Sequence, residues 1–236
     1  MSAPWPAPPE RPEPAAIALA GMACLLDPSG ALVLPEARML VVADLHLEKG
    51  SAFARRGALL PPYDTGATLA RLAEAIALHR PRRVVALGDS FHDQWGPERL
   101  HPRDRAMLGA LTAGLDWTWI LGNHDPILPA ALGGTVAAEA AIGPLVLRHH
   151  PAIGAGRELA GHLHPVAKVA LRGRGVRVRA FLTDGERCIL PAFGAYAGGL
   201  NACDPVFRPL FPRGFLAHAI GRTRLYALPD AALRGD

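Results

Sequence analysis

Cysteine is scarce in this chain, and so is lysine. The three cysteines, Cys24, Cys188 and Cys203, are scattered and odd in number, and no C-x-x-C spacing occurs. That excludes a disulfide framework and a thiolate zinc site, and it fits a reducing compartment, the cytoplasm. No apolar run approaches the roughly 18 residues of a membrane span. Ile17–Leu26 is apolar but follows a proline-rich start with no basic stretch, so it reads as a strand pair and not as a signal peptide. Lysine stands only at positions 49 and 168, so arginine carries most of the positive charge behind the formal net +4. Arginine suits forked contacts with phosphate; a genome-wide preference for arginine would leave the same trace. Only 19% of the residues are charged and 50% are hydrophobic, which suits a packed core and argues against disorder. A length of 236 residues accommodates one large domain, or a domain and a half.

Residues 1–14 hold six prolines and read as an extended, disordered arm. Asp27-Pro28-Ser29-Gly30 is a turn between Ile17–Leu26 and Ala31–Leu34. A buried strand, Met39–Ala43, then runs into Asp44 and His46. On an extended chain, one residue between them points both side chains to the same side. Asp64 or Thr65 can cap a helix to about His79, with Leu69, Leu72, Ala73 and Ile76 facing the core. Strand 82–87 ends in Gly88-Asp89. A second helix is predicted over 98–115, and strand 117–121 ends in Gly122-Asn123-His124-Asp125. Three apolar strands that each run into a polar block, with helices between, make a β-α-β-α-β unit whose blocks meet at one sheet edge. The second half is rich in strands. Leu145–Leu147 ends in His149-His150-Pro151, and Gly161-His162-Leu163-His164 follows. Gly173-Arg174-Gly175 turns a hairpin, and a last strand or two lies within 207–228. The two halves form the two sheets of one sandwich over residues 15–228, followed by a flexible tail, 229–236.

The five blocks carry carboxylate, amide and imidazole groups and no thiolate, a donor set for Mn, Fe or Zn, with Mn preferred. Their number suits two divalent ions that share one carboxylate. Asp89 is the natural bridge, because the glycine before it lets the backbone approach. Two such ions, roughly 3.5–4 Å apart, suit in-line phosphoryl displacement.

These blocks, D-x-H, G-D, G-N-H-D, a lone His and G-H-x-H in order from Asp44 to His164, resemble the calcineurin-like metallophosphoesterase superfamily. The resemblance implies an α/β fold, a metallophosphoesterase β-sandwich of two mixed sheets flanked by helices (αββα), in a single domain. It implies that Asp44, His46 and His164 hold one metal. Asn123, His162 and one of the pair His149/His150 hold the other, Asp89 bridges, and His124 is a general acid or stabilises phosphoryl charge. His149 is preferred because the family's lone His precedes a small residue and proline; His150 would face the other way. Asp44-Leu45-His46-Leu47-Glu48-Lys49-Gly50, Phe53–Gly57, Leu60–Thr65, Gly88–Asp93 and Pro191–Tyr196 are more closely similar to the ligase-associated DNA damage response endonucleases. That likeness covers about residues 17–220. It implies DNA as substrate, and as partners an ATP-dependent DNA ligase and a helicase-like protein; a homo-oligomer is compatible with it.

Other groups keep two readings. Arg55 and Arg56 hold a DNA phosphate beside the metals or decorate a solvated loop. His92, with Asp93, touches substrate, orients His124 or closes the loop. Lys168, Arg172, Arg174, Arg177 and Arg179 make a nucleic-acid groove or, the favoured reading, guard a strand edge with charge. Gly194–Gly199 is a tight turn near the site and no phosphate-binding loop. His79, His101 and His218 have no metal role. The competing functions are a phosphatase or small-diester hydrolase of the same superfamily and a non-catalytic scaffold on the same fold.

Overall fold

The structure is a computed structural model that describes residues 11–171 and 174–236. The greater part of the proline-rich arm and two residues of the hairpin turn, Arg172 and Gly173, lie outside the described residues.

The first sheet runs in spatial order β1 (Ala15–Leu19), β2 (Met22–Leu26), β3 (Leu32–Leu34), β4 (Met39–Val42), β5 (Arg83–Leu87), β6 (Asp116–Ile120) and β7 (Thr135–Ala137). β1 to β4 pair antiparallel, and β4 to β7 pair parallel. β4 is buried along its whole length, as a strand covered on both faces must be. The register Val42↔Ala86 and Leu87↔Ile120 brings the ends of β4, β5 and β6 level. The three polar blocks after them therefore meet at one edge.

Helices α1 (Lys49–Ala54), α2 (Asp64–His79), α3 (Gly96–Arg99) and α4 (Pro102–Ala113) cover one face of this sheet. α2 buries Leu69, Leu72 and Ala75, so its inner stripe takes Ala75 in place of the expected Ala73. Neither expected cap serves its own helix. Asp64 instead accepts the Gly50 N–H at 2.9 Å, and the Thr65 hydroxyl accepts the Glu48 N–H at 2.8 Å and donates to Glu48 Oε1. Both residues thus anchor α1. The single helix expected over 98–115 is two. His101 caps α4 at Pro102, because the residue before a proline is excluded from helical conformation.

The second sheet contains β8 (Glu139–Ile142), β9 (Leu145–Arg148), β10 (Glu158–Ala160), β11 (Val166–Leu171), β12 (Arg174–Thr183), β13 (Arg187–Ile189), β14 (Leu216–Ile220) and β15 (Leu225–Pro229). Its order is β15-β14-β12-β13-β10-β9-β8, with β11 on β12. β10 runs parallel to β9 and β13, so this sheet is mixed as well. The inner faces meet in a buried apolar layer of Leu34, Val41, Val85 and Ile120 against Leu147, Leu159, Phe181 and Leu190. The outer face of the second sheet is covered by a 3-10 turn, Pro205–Phe207, and the loop after it, with Phe207, Phe211 and Leu233 packed on Leu182 and Ala217. Pro205, Pro209 and Pro212 keep that segment from continuing as a helix or as the strand expected from 207. The last residues are not free: Leu233 is buried, and Asp236 pairs with Arg177 and Lys168. Arg179, expected on a charged edge, is half-buried and donates to the carbonyls of Ser29 and Ala192.

Candidate metal centre

Asp44 and His46 do not sit on extended chain. Both have left-handed backbone (φ 54° and 44°), as do Asp89 (46°), His162 (69°) and His164 (46°). Such a conformation costs a non-glycine residue about 1–2 kcal/mol, and it concentrates here at the candidate ligands, where strained backbone is characteristic. Long-range backbone bonds hold it. Asp44 N–H donates to Gly88 O at 3.2 Å, His46 N–H to Asp89 O at 2.9 Å, and Leu47 N–H to Ser90 O at 2.9 Å. The two polar blocks are thus laced together past the sheet edge, and His46 reaches the site because the chain turns there.

Glycine gives the close approach expected before Asp89. A Cβ on Gly88 would lie 2.5 Å from the His149 ring, and one on Gly122 would lie 2.2 Å from Asp89 N. Across the sandwich, the His162 N–H donates to Asp44 Oδ2 at 2.9 Å. The fold therefore joins the loops of the first sheet to those of the second through the ligand side chains themselves.

The donors converge in two groups. In one, His46 Nε2 faces His164 Nε2 at 3.2 Å, and His164 Nε2 lies 3.2 Å from Asp44 Oδ1. In the other, His149 Nε2 lies 3.0 Å from Asn123 Oδ1, 3.2 Å from His162 Nδ1 and 3.4 Å from Asp89 Oδ1. Asp44 belongs to two such sets: it offers atoms within 4.8 Å of those of His46 and His164, and within 4.8 Å of those of Asp89 and His149, so the two groups adjoin through Asp44. Oxygen and nitrogen donors without sulfur, crowded on these centres, fit divalent cations.

Electrostatics agree. Burial, with the nearby His164, pushes His46 far below its usual range. Burial, with His150 and His149 beside it, brings His162 to about 4. Both rings are neutral near pH 7, the state a cation requires. Burial alone would raise Asp89, but the hydrogen bond and charge of His149 and the His124 N–H bond outweigh it and hold the carboxyl well below the usual range. His149 is held above its ordinary value: burial opposes this, and Asp89 and Asp44 prevail.

Of the pair at 149 and 150, His149 is the inner one. It is 2% exposed, and its Nδ1 donates to Leu87 O at 2.8 Å, which leaves Nε2 for the site. His150 does not face away as expected. Its ring packs on His162 with centroids 3.9 Å apart, because the parallel pairing of β9 with β10 places the two loops side by side. His124 Nδ1 donates to His92 O at 2.7 Å, and the two rings stack at 5.1 Å. His124 Nε2 is left 3.9 Å from Asp89 Oδ2.

An open cleft of about 610 Å³ leads away from His124 and Asn123, walled by Arg55, Arg56, His92 and Trp95. Arg55 and Arg56 are exposed and line it. Trp95 went unnoticed in the sequence, although a tryptophan in a polar loop six residues past Asp89, in His92-Asp93-Gln94-Trp95-Gly96, was a usable signal. Lys49 Nζ donates to Tyr196 O at 3.0 Å, across to the glycine-rich loop. That loop is the tight turn expected, strapped to the site by the Gly194 N–H on Asp44 O and the Leu200 N–H on His164 O.

No family model matches the chain, and no curated protein matches it. Among solved structures it is similar to the Pseudomonas putida nuclease MPE, with 30% sequence identity over 92% of this chain and 100% of that one, and a TM-score of 0.71. It is also similar to Yfce, a phosphoesterase from E. coli, with 15% identity over 83% of this chain and 99% of that one and a TM-score of 0.40. A third is a conserved uncharacterized protein and predicted phosphoesterase of Streptococcus pneumoniae, with 13% identity over 81% and 96% and a TM-score of 0.33. With a full-length relative at that identity and the ligand blocks brought to one edge of a two-sheet sandwich, this chain belongs to the metallophosphoesterase superfamily of hydrolases.

Proposed function

We propose that this protein is a dinuclear, metal-dependent phosphodiesterase that cuts DNA. One observation carries the chemistry: the donors of five separate loops converge in two groups that adjoin through Asp44, with Asp89 beside it. Asp44, His46 and His164 would hold one divalent cation, and Asn123, His149 and His162 the other, with Asp89 between; Mn suits these oxygen and nitrogen donors, as do Fe and Zn. When bound, the cations supply positive charge for the phosphate oxygens of a displacement at phosphorus.

The chain's own groups do the rest. His124 donates Nδ1–H to His92 O, which fixes its tautomer and points Nε2 at the cleft. A protonated Nε2 delivers its proton to the departing sugar oxygen, general acid work that typically contributes 10²–10⁴-fold in rate. Asp89 accepts the His124 backbone N–H at 2.9 Å and so keeps that ring beside the centre. Arg55 and Arg56 present charge to the phosphates on either side of the cut, and His92 buttresses His124 by stacking.

DNA as substrate is supported by the nuclease among the similar structures and by the arginine-lined cleft. A cytoplasmic repair role beside an ATP-dependent DNA ligase and a helicase-like protein is supported by the sequence likeness of the Asp44–Gly57 and Gly88–Asp93 blocks. The test compares Mn-loaded protein with Asp89→Asn and His124→Ala on bis-p-nitrophenyl phosphate and on DNA. Both variants should fold and lose turnover on both substrates. Unchanged turnover in both would remove the assignment, and hydrolysis of the small diester without any cleavage of DNA would remove the substrate.

A further inference from the structure

Trp95 is half exposed, whereas Trp117 and Trp119 are at most 1% exposed. Its indole faces the cleft that begins at His124 and Asn123. The loop that presents it is pinned. The Trp95 N–H donates to Asp93 Oδ1 at 2.9 Å, and Arg99 grips the same carboxylate with two bonds of 2.9 Å. Arg99 Nε in turn donates to Ser51 Oγ of α1 at 2.8 Å. Next to it, Gly96 packs so tightly on Phe91 that a Cβ there would lie 2.8 Å from the ring. The loop is therefore held in place at the cleft lip, and its indole is not used in the core.

The charge of the same cleft has one sign to spare. Asp93 is consumed by Arg99. Arg55 and Arg56, which line the same cleft, make no ion pair among the described residues. An exposed π-face on an anchored loop, beside two uncommitted guanidinium groups, is the pairing that holds a nucleotide, base on the ring and phosphate on the cations. The cleft volume of about 610 Å³ falls in the range of ligand clefts, about 300–1,000 Å³. A base stacked inside a duplex has no free face to offer, so the platform selects an unpaired one.

Building on the phosphodiesterase reading, we propose that Trp95 is the stacking platform for an unpaired base next to the scissile phosphate. Arg55 and Arg56 hold the phosphate of that nucleotide. Trp95 is a positioning residue: it fixes where the strand lies relative to His124 and touches no reacting atom.

The test uses two DNA strands of equal length, one of thymidines and one in which alternate bases are absent. Wild-type Mn-loaded protein should cut the thymidine strand with a KM about tenfold lower, the scale of one base–aromatic stack. Trp95→Ala should abolish that difference by raising KM for the thymidine strand, and Trp95→Phe should keep most of it. The thymidine strand should also quench tryptophan emission in the wild type and not in Trp95→Phe, since the other described indoles are buried. A wild type that cuts both strands with equal KM overturns the platform and leaves the nuclease reading standing. A Trp95→Ala variant that keeps the difference overturns it too. A wild type that hydrolyses bis-p-nitrophenyl phosphate but neither binds nor cuts either strand overturns the nucleic-acid reading and the platform together.

Discussion

Gly161 stands where the second sheet delivers its last candidate ligands, His162 and His164, and it has no room for a side chain. A Cβ there would lie 2.6 Å from Asp44 Oδ2 and 2.9 Å from Ala43 Cβ, while its φ is not left-handed. Gly161→Ala therefore tests crowding and nothing else. To reach an ordinary contact of 3.4 Å or more, the Asp44 carboxylate must turn away. It is fully buried and accepts the His162 N–H at 2.9 and 3.2 Å, so turning breaks a charge-assisted bond. Such a bond is worth about 1.5–3 kcal/mol. For a chain of this size each kcal/mol moves Tm by about 2–4 °C, so the metal-free variant should melt roughly 5–10 °C lower. Divalent cations that bind the folded state alone should raise Tm. A displaced ligand should weaken that binding about 10–100-fold, the scale for disturbed support around metal ligands, and shift the Mn titration of Tm to higher concentration. Gly109→Ala is the control. It lies in α4 with nothing within 4 Å of its Cβ, and should gain about 0.5–1 kcal/mol from helix propensity. A Gly161→Ala protein with wild-type Tm and a wild-type Mn response would show that packing does not place Asp44.

Two further predictions concern groups away from the centre. Asp27 is fully buried and accepts bonds from Arg11, from His79 Nε2 at 2.7 Å and from the Ser29 N–H at 2.8 Å. Burial would raise its pKa, but the Ser29 and His79 bonds and the Arg11 charge hold it below the usual value. The unfolded chain then takes up the proton first, so the stability from Asp27 is present above about pH 3.9 and is lost as pH falls through the folded value. The Tm gap between wild type and Asp27→Asn should be steady from about pH 5 upward and close in acid; a gap that widens in acid contradicts this linkage. Cys24 and Cys188 are buried, and burial lifts Cys24 to about 11 and Cys188 higher still, whereas Cys203 is exposed. Since the thiolate is the reactive form, a disulfide reagent at mild alkaline pH should titrate Cys203 alone in the native protein and all three cysteines after denaturation; rapid reaction of a second native thiol would contradict the burial.

What was legible in the sequence was whatever a short window contains. Val84-Val85-Ala86-Leu87 followed by Gly88-Asp89 announces a buried strand, a candidate ligand at its end and a glycine for close approach; that the approaching group at Gly88 is the His149 ring was not local. The break before Pro102 was local, yet the apolar spacing of Met107, Leu108, Leu111 and Leu115 outweighed it and extended the helix too far. The conformation of the ligands was not local. Asp44 and His46 are left-handed because their N–H groups bond to carbonyls of Gly88 and Asp89, and Asp44 is aimed by an N–H that lies 118 residues away. Asp64 and Thr65 read as helix caps because such residues start helices, but the loop carrying Glu48 and Gly50 offered them better partners. His150 lies against His162 only through the pairing of β9 with β10, strands of four and three residues. Such strands are too short to reveal a period, so their pairing leaves no pattern in the sequence. The identity of the donors is thus a local property of strand ends, while their geometry belongs to contacts between segments that no window holds. This is why the chemistry of the centre could be read before its shape, and why Trp95, whose position depends on Asp93, Arg99 and Ser51 together, came into view only with the fold.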